Sequence, residues 1–392
     1  MRCKGKREVG KGKREEERGM IAAKNAKVAK ADWKMVKLGE VAEFLNGKSK
    51  PIGSGIIPVY GSNGIISYSN RFLYSNAIIV GRVGAYAGSI ARCRTEFWPT
   101  DNTIVVKPKE GMVDTDFIFY RMQKLSLSSL LGGSAQPLIT QGILKSKEFP
   151  LPPLPTQRKI AAVLGALDDK IENNRKICAN LEAQAQALFK SWFVDFEPFG
   201  GSGFKNSEIG KIPVGWSVFK LGDFLPIKTG KKDANVADTQ GKYPFFSCSQ
   251  NVLWTDDYSF DGRAILVAGN GDFNVKRCDG KFEAYQRTYV LMPYKEFLAG
   301  WLYYVVKYNL EKITMSAQGS VIKFITKGHL EDFKFAAPSI VEEKENEDTR
   351  IFNEINSVID SRIEENYRLA ELRDALLPKL MSGELDVDDV EV

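Results

Sequence analysis

A stripe of apolar and small residues extends from Ile160 to Trp192, with its positions spaced alternately by four and three residues. This is the a/d heptad pattern of a helix that packs against a second helix. Asn174 is the one polar interruption of the stripe. The pattern predicts a long helix whose core positions are Leu164, Leu167, Ile171, Asn174 and Leu181.

The heptad stripe returns near the C-terminus, from Phe352 to Leu380, and Asn366 stands where Asn174 stands in the first copy. The residues around the asparagines also repeat. Asp168-Asp169-Lys170-Ile171-Glu172-Asn173-Asn174 corresponds to Asp360-Ser361-Arg362-Ile363-Glu364-Glu365-Asn366. A long helix that recurs in each half of a chain indicates an internal duplication. The predicted core positions of the second helix are Ile359, Ile363, Asn366 and Leu377.

Further matches precede each helix. Trp33 and Trp216 begin similar stretches, and the pair Gly47-Lys48 recurs as Gly230-Lys231. Later in each half, Ser134-Ala135-Gln136 recurs as Ser316-Ala317-Gln318. The matches occur in the same order in both halves, so the duplicated unit is a globular domain followed by a helix.

The globular parts have short apolar runs, mostly of period two, that are broken by Gly, Asn and Ser. Such runs are typical of strands, whereas one longer segment in each half fits a helix packed on a sheet. The predicted strands are 65–68, 77–80, 103–106, 264–267 and 288–291, and the predicted helices are 114–131 and 297–310. Each half is therefore expected to be an α+β domain with a twisted, mainly antiparallel sheet.

These patterns divide the chain into segments. Residues 1–32 are a Lys/Arg-rich head with no apolar period, interpreted as disordered or as preceding the natural start at Met20 or Met35; a basic arm that contacts phosphates is the alternative. The other segments are a first domain (33–150), a central helix (151–197), a glycine-rich flexible linker (198–213), a second domain (214–338), a C-terminal helix (339–387) and a tail (388–392).

Each long helix spans about 35 residues, or roughly 50 to 55 Å, and its apolar stripe needs a partner helix. The nearest partner is the other copy. We expect an antiparallel coiled coil, because the short linker leaves the second domain near the end of the first helix and its own helix then runs back. A parallel pair would also bring Asn174 and Asn366 together but would crowd both domains at one end. A further alternative is that both asparagines face solvent on an irregular seam.

Composition limits the function further. The formal net charge of +6 is mildly basic and compatible with a polyanionic partner. The five cysteines form no CxxC pair and have no Cys/His spacing, which argues against zinc and for a reducing compartment. No apolar run reaches the roughly 18 residues of a membrane span, and no secretory signal is evident, so we expect a cytoplasmic protein without a membrane segment.

The sequence has no recognisable catalytic motif. His329 is the single histidine, and HExxH and GxSxG motifs are absent. The stretch from Gly81 to Gly88 follows a predicted strand but fits neither GxGxxG nor GxxxxGK(S/T). An Asn-Pro-Pro-aromatic methyltransferase signature and a PD…(D/E)xK nuclease core are also absent. We therefore expect a binding protein with no catalytic residues, metal or cofactor of its own.

Basic, amide and aromatic residues cluster on the glycine-rich loops of both halves. Arg, Asn and Gln are residue types that read base edges in the DNA major groove, and Lys neutralises phosphates. The clusters suggest DNA binding by Lys48, Lys50, Arg82, Tyr86, Arg92, Arg94 and Gln136 in the first half, and by Lys231, Lys232, Asn270, Asn274, Lys276, Arg277, Lys281 and Gln318 in the second.

With these features in place, the chain resembles the specificity subunit of type I restriction-modification systems over about residues 33 to 387. The resemblance is carried by Leu151-Pro152-Pro153-Leu154-Pro155-Thr156-Gln157-Arg158-Lys159-Ile160, by residues 167–174, by Ala187-Leu188-Phe189-Lys190-Ser191-Trp192-Phe193-Val194-Asp195-Phe196, by Ile212-Pro213-Val214-Gly215-Trp216 and by Leu380-Met381-Ser382-Gly383-Glu384-Leu385.

The resemblance implies two target-recognition domains, each of which reads one half of a bipartite, asymmetric site in double-stranded DNA. It implies that the coiled coil spaces them and docks two methyltransferase subunits, which use S-adenosylmethionine to methylate adenine. Restriction subunits with motor and nuclease activity would use ATP. Two features depart from the pattern: the basic head, and the stretch before the second helix, where residues 336–340 and an acidic run at 342–348 replace the proline-rich lead-in.

Two other functions stay open on sequence grounds. The chain could be a detached C-terminal part of a fused restriction-methylation enzyme, which neighbouring genes would reveal. It could also be a two-headed coiled-coil adaptor for a protein or a glycan, and a salt-dependent shift of duplex DNA would argue against that.

Overall fold

The structure of the protein is a computed structural model. It describes residues 32–125, 127, 138–236, 241–315, 323–339, 341 and 347–390. The chain forms two compact units, Met1–Asn173 with Glu365–Val392, and Asn174–Glu364. Each unit contains one globular domain and one half of each of two long helices. The long helices are α4 (Leu154–Phe193) and α9 (Glu347–Ser382), so both predicted helices are confirmed.

The first domain contains a six-stranded sheet with the strand order β2-β7-β5-β6-β3-β4. All of its pairings are antiparallel except β3 with β6, and a separate antiparallel pair joins β1 to β8. The elements are β1 (Lys34–Lys37), α1 (Leu38–Val41), β2 (Ala42–Asn46), β3 (Ile57–Gly61), β4 (Gly64–Ser69), β5 (Tyr74–Gly81), β6 (Ile90–Pro99), β7 (Thr103–Pro108), α2 (Thr115–Lys124), α3 (Gln141–Lys145) and β8 (Glu148–Leu151).

The predicted strands of the first domain are confirmed, and the core explains their continuous apolar runs. Ile78 and Val80 of β5 face α2 and the long helices, whereas Ala77 and Ile79 face a second cluster that contains Phe97. Since successive side chains of a strand point to opposite faces, a sheet covered on both faces needs apolar residues at every position.

Helix α2 is shorter than the sequence pattern predicts. It begins after Asp114, whose carboxylate accepts a hydrogen bond from the Phe117 N–H at 3.0 Å, as an N-cap residue does. It ends at Lys124 because the Leu125 N–H turns back to Met122, which tightens the last turn. The rest of the predicted segment, apart from residue 127, lies outside the described residues.

The second domain repeats this plan with its strands divided between two four-stranded sheets, β12-β19-β16-β17 and β14-β13-β18-β15. Strand β11 pairs with β20 as β1 pairs with β8, and β13 with β18 is a parallel pair. The elements are β11 (Trp216–Lys220), α5 (Leu221–Phe224), β12 (Ile227–Thr229), β13 (Tyr243–Phe246), β14 (Leu253–Thr255), β15 (Phe260–Asp261), β16 (Ala264–Ala268), β17 (Val275–Cys278), β18 (Lys281–Ala284), β19 (Thr288–Leu291), α6 (Ala299–Tyr308), α7 (Leu310–Thr314), α8 (Lys327–Glu331) and β20 (Lys334–Pro338).

The predicted strands at 264–267 and 288–291 and the helix within 297–310 are confirmed. We predicted a flexible linker at residues 198–213. This prediction is corrected, because the segment contains a hairpin of β9 (Phe204–Ser207) and β10 (Gly210–Pro213). Its ends are fixed by packing: the Phe199 ring lies 5.0 Å from that of Trp216, and Ile212 is buried. Aromatic contacts outweigh the conformational freedom that the glycines provide.

Within each unit the segments of the two long helices lie side by side and run in opposite directions. In the first unit Asp168 pairs with Arg373 at 2.8 Å and Lys170 with Glu365 at 3.5 Å. In the second unit the Cys178 thiol lies 3.7 Å from the Ile359 carbonyl oxygen, and the Phe189 ring lies 6.1 Å from that of Phe352. The N-terminal half of α4 therefore packs on the C-terminal half of α9, and the reverse holds in the second unit.

The predicted helix core is buried in part. Leu164, Leu167, Ile171, Asn174 and Ile359 are buried, whereas Leu181, Asn366 and Leu377 are half-buried. Asn174 therefore does not face solvent. Ile363 is 42% exposed, contrary to its assignment as a core residue. Two paired helices cover only a narrow seam, and Ile363 belongs to none of the hydrophobic clusters of the described chain.

Candidate nucleic-acid interface

The two domains share a set of backbone hydrogen bonds where their second strand ends. In the first domain the Gly47 N–H donates to the Thr103 carbonyl at 3.4 Å, and the Lys48 N–H donates to Pro99 at 3.0 Å. In the second domain Gly230 donates to Thr288 at 2.9 Å, and Lys231 donates to Ala284 at 3.0 Å. The repeated Gly-Lys pair thus occupies the same place in both domains.

The glycine of each pair is required by a close approach of two backbones. A Cβ atom at Gly47 would lie 1.9 Å from the Thr100 carbonyl oxygen. At Gly230 it would lie 2.2 Å from the Tyr285 carbonyl oxygen. No side chain fits at such distances, which explains why the glycine recurs although the loops around it differ.

A second shared set of bonds joins the end of the central strand to a later segment. The Arg82 N–H donates to Asn102, and the Arg82 carbonyl accepts from Ile139, both at 2.9 Å. The same two bonds link Gly269 to Arg287 and to Ile325, also at 2.9 Å. Four segments therefore meet at one edge of each domain. We call these edges the loop edges: residues 47–50, 81–89, 99–103 and 138–140 in the first domain, and 230–232, 268–272, 284–288 and 323–326 in the second.

Seven of the candidate DNA-binding residues lie at the loop edges. In the first domain Lys48 and Lys50 are exposed, Arg82 is half-buried, and Tyr86 is 59% exposed. Among the described residues the Lys48 and Lys50 ammonium groups have no hydrogen-bond or ion-pair partner, so both charges are available to a ligand. The three members in the second domain are Lys231, Lys232 and Asn270.

The lysines of the second loop edge have protein neighbours at moderate distance. The Lys231 ammonium lies 5.5 Å from the centre of the Phe260 ring, and Lys232 lies 3.7 Å from the Asp257 carboxylate. Lys231 is exposed, and Asp257 is largely exposed as well. An ion pair in such a setting is worth less than about 1 kcal/mol, so phosphates can replace the carboxylate.

Arg92 and Arg94 lie away from the loop edge and are engaged within the first unit. Arg92 contacts Asp116 at 2.8 Å and lies 4.9 Å from the Phe119 ring. Arg94 bonds to Asp116 at 2.9 Å and to Asp169 of α4 at 3.1 Å. Burial alone would lower the pKa of Arg94, but the hydrogen bond to Asp116 and the neighbouring carboxylates raise it overall.

The corresponding residues of the second domain are engaged in the same way. Arg277 pairs with Asp360 of α9, donates to the Asn356 carbonyl at 3.3 Å and lies 5.6 Å from the Tyr303 ring. Lys276 donates to Asn274 at 2.6 Å, and its burial lowers its pKa. These contacts favour a structural role for Arg92, Arg94, Lys276 and Arg277.

The remaining candidates are less informative about DNA. Asn274 is buried and donates to the Cys248 carbonyl at 2.9 Å. Lys281 lies 4.6 Å from the Tyr258 ring, on a strand outside the loop edge. Gln136 and Gln318 lie outside the described residues.

Sequence reasoning missed the turns at the centre of the loop edges. Asp101 and Asn102, between β6 and β7 of the first domain, are exposed, and so are Gln286 and Arg287, between β18 and β19 of the second. Thr103 and Thr288, which follow the two turns, are both buried. An internal alignment of Thr-Asp-Asn-Thr with Tyr-Gln-Arg-Thr, anchored on these threonines, would have found the positions.

A cavity of about 380 Å³ opens beside the second turn. Its walls combine amide, guanidinium and aromatic groups. Asn270 therefore lies beside Gln286 and Arg287, although it is distant from them in sequence. The lining includes Asn270, Gln286, Arg287, Tyr289 and Phe324.

The described residues contain no group of three or more His, Cys, Asp or Glu placed to hold a metal ion. The single histidine, His329, accepts a hydrogen bond from the Thr326 N–H at 3.3 Å and so belongs to the start of helix α8. In the part of the chain that the structure describes, no helix is long and apolar enough to cross a membrane.

Comparison with known proteins places these features in a family. The profile of the "Type I restriction modification DNA specificity domain" matches residues 30–183 and 213–372. The type I restriction enzyme EcoDI specificity subunit of Escherichia coli is 39% identical over 183 residues, which are 45% of this chain and 40% of that protein. The MjaIX specificity subunit of Methanocaldococcus jannaschii is 26% identical over 420 aligned positions, covering 92% of this chain and 95% of that one.

The fold has a relative among solved structures as well. The crystal structure of the type I restriction-modification S subunit from M. genitalium superposes with a TM-score of 0.61 at 16% identity, over 89% of this chain and 96% of that chain. The family profile matches both halves of the sequence, each over a globular domain and part of a long helix. The chain therefore belongs to the family of type I restriction-modification DNA specificity subunits.

Proposed function

We propose that this specificity subunit reads a bipartite, asymmetric site in double-stranded DNA, with one half-site at each loop edge. The observation that carries the proposal is the pair of equivalent backbone frames, Gly47–Lys48 with Thr103 and Gly230–Lys231 with Thr288, which present different side chains. Domains with equivalent backbone geometry dock on DNA in the same manner, and their different side chains select different bases.

Free cations at the edges support an attraction to phosphates. Lys48, Lys50 and Arg287 are exposed, and among the described residues their charged groups have no acidic partner. Such groups contribute sequence-independent affinity that falls as salt rises. The alternative of an adaptor for proteins or glycans does not account for a matched cationic edge in each domain.

The long helices would set the distance between half-sites. We propose that α4 and α9 form one antiparallel coiled coil, for which the opposite directions of their segments within each unit are the support. The coiled coil would dock two methyltransferase subunits that use S-adenosylmethionine to methylate adenine, and restriction subunits with motor and nuclease activity would use ATP. The chain itself would contribute recognition without catalysis or a cofactor.

The test is methylation mapping in a host that expresses the chain with the methyltransferase subunit encoded beside it. We expect adenine methylation at one two-part site, whereas the purified chain alone neither methylates nor cuts DNA. Exchange of residues 33–150 for the domain of a relative should change one half-site only. Methyl transfer by the isolated chain, or a simultaneous change of both half-sites, would contradict the proposal.

A further inference from the structure

The turns of the two loop edges are equivalent in backbone and different in side chain. The Asn102 carbonyl accepts a hydrogen bond from Arg82, and the Arg287 carbonyl accepts one from Gly269. The next residues, Thr103 and Thr288, are buried, and their N–H groups donate across the turns to the Thr100 and Tyr285 carbonyls at 3.0 and 2.7 Å. The two turns thus have the same backbone hydrogen bonds but different side chains. At such a position the two duplicated domains can select different bases.

The setting of Arg287 differs from that of Arg277. Arg277 is 16% exposed in its side chain and is engaged by Asp360. Arg287 is exposed on the cavity wall, and within the described residues its guanidinium has no hydrogen-bond or ion-pair partner. Phe324, 40% exposed, adds an apolar face to the same wall. A free planar donor beside amide groups and an aromatic face suits a nucleobase edge.

We infer that Arg287 and Asn102 are specificity-determining residues, one for each half-site. This inference rests on the proposed function and names the contacts within it. Arg287 donates two hydrogen bonds to O6 and N7 of a guanine, and Asn102 pairs with N6 and N7 of an adenine, as these side chains do in the major groove. The half-site of the second domain therefore contains a guanine, and that of the first contains an adenine, at the position facing the turn.

The experiment uses the full chain with its methyltransferase subunit and the variants Arg287→Ala and Asn102→Ala. In Arg287→Ala we expect discrimination at one guanine of one half-site to fall by roughly 10- to 100-fold, while the other half-site is unchanged. Asn102→Ala should relax one adenine in the opposite half-site. Arg263→Ala is the matched control, because Arg263 is an exposed arginine of the same domain that pairs with Asp279 at 2.9 Å.

If a variant directs no methylation, its selectivity is measured instead as its binding to DNA duplexes that each carry one changed base pair. Loss of discrimination at one position supports the inference, and retained discrimination at every position overturns it, as does an unchanged methylation site. Relaxation in both half-sites by a single variant also overturns it. Failure of the proposed function itself is recognised separately, because the unmodified complex would then show no two-part site.

Discussion

The Arg94 guanidinium donates hydrogen bonds at 3.1 and 3.3 Å to the two carboxylate oxygens of Asp169. Arg94 belongs to strand β6 of the first domain and Asp169 to helix α4, so the pair ties a recognition domain to the long helix that follows it. Arg277 on β17 and Asp360 on α9 form the same tie in the second unit. These ties add polar contacts between each domain and its own helix.

Replacement of Arg277 should destabilise the protein without changing the DNA site. Arg277→Ala leaves Asp360 without its partner and removes the contacts with the Asn356 carbonyl and the Tyr303 ring. We expect the free energy of unfolding, measured in urea, to fall by about 1 to 3 kcal/mol. Arg94→Ala, whose pair with Asp169 is largely exposed, should cost less than about 1 kcal/mol.

The double variant Arg277→Ala/Asp360→Ala completes a double-mutant cycle. Its loss of unfolding free energy should be smaller than the sum of the losses in the two single variants. If Arg277→Ala instead kept full stability and relaxed the methylation site, Arg277 would be a base contact and the structural role would be wrong.

Gly47→Ala and Gly230→Ala should each damage one loop edge. The added Cβ atoms would meet carbonyl oxygens at 1.9 and 2.2 Å, which forces the backbone apart. We expect a loss of about 1 to 3 kcal/mol in unfolding free energy and weaker selection in one half-site. Gly201→Ala is the control, since nothing lies within 4 Å of a Cβ there. Equal stability and selectivity of all three variants would show that the close approach is unimportant.

The Cys278 thiol should be nearly inert in the folded protein at pH 8. Burial raises the pKa of Cys278 from 9.0 to about 12, and thiolate is the reactive form. Its contribution to stability is complete below the unfolded pKa and is lost as the pH rises from about 9 towards 12. Brief maleimide labelling followed by mass spectrometry should modify Cys278 in urea but not in the native state.

Cys278→Ala should accordingly reduce the loss of stability between pH 9 and 11 in urea titrations. Rapid native labelling at pH 8, or an unchanged alkaline slope in this variant, would show that burial does not protect the thiol.

Matched insertions in the two long helices test their role in spacing. Four residues after Asn174 and four after Asn366 lengthen each helix by about 6 Å and shift its heptad phase little. We expect the gap, that is, the stretch of unspecified base pairs between the two half-sites, to grow by about one to two base pairs, with both half-sites unchanged. Two-residue insertions rotate one domain by roughly half a turn around the helix axis relative to the other domain and should abolish methylation. An unchanged gap after the four-residue insertions would show that the helices do not set it.

Local patterns predicted the elements of the fold well. The runs at Ala77–Val80 and Ala264–Val267 are strands of sheets that are covered on both faces, which explains an apolar residue at every position. The heptads of α4 and α9 predicted both helices because burial recurs every helical turn. The order at residues 198–213 was missed, since it depends on the packing of Phe199 against Trp216 rather than on local propensity.

The candidate site was predicted less well because sequence does not show what a charge faces. Arg277 and Arg287 are both arginines near the ends of strands. Only the fold reveals that Asp360, distant in sequence, engages the first, while the second lines a cavity. Ile363 shows the same limit, because a heptad position is buried only where a neighbour covers it.

The pairing of β1 with β8, and of β11 with β20, brings the beginning and the end of each domain to adjacent positions. Lys34 lies opposite Leu151, and Trp216 lies opposite Pro338, so the chain leaves each domain beside the place where it came in. A gene segment with such ends is a cassette: recombination can replace everything between the paired strands while the helices keep their course. If each domain reads one half-site as proposed, crossovers on both sides of the cassette would exchange that recognition, provided that the incoming domain keeps the contacts with the helix, such as that of Arg94 with Asp169.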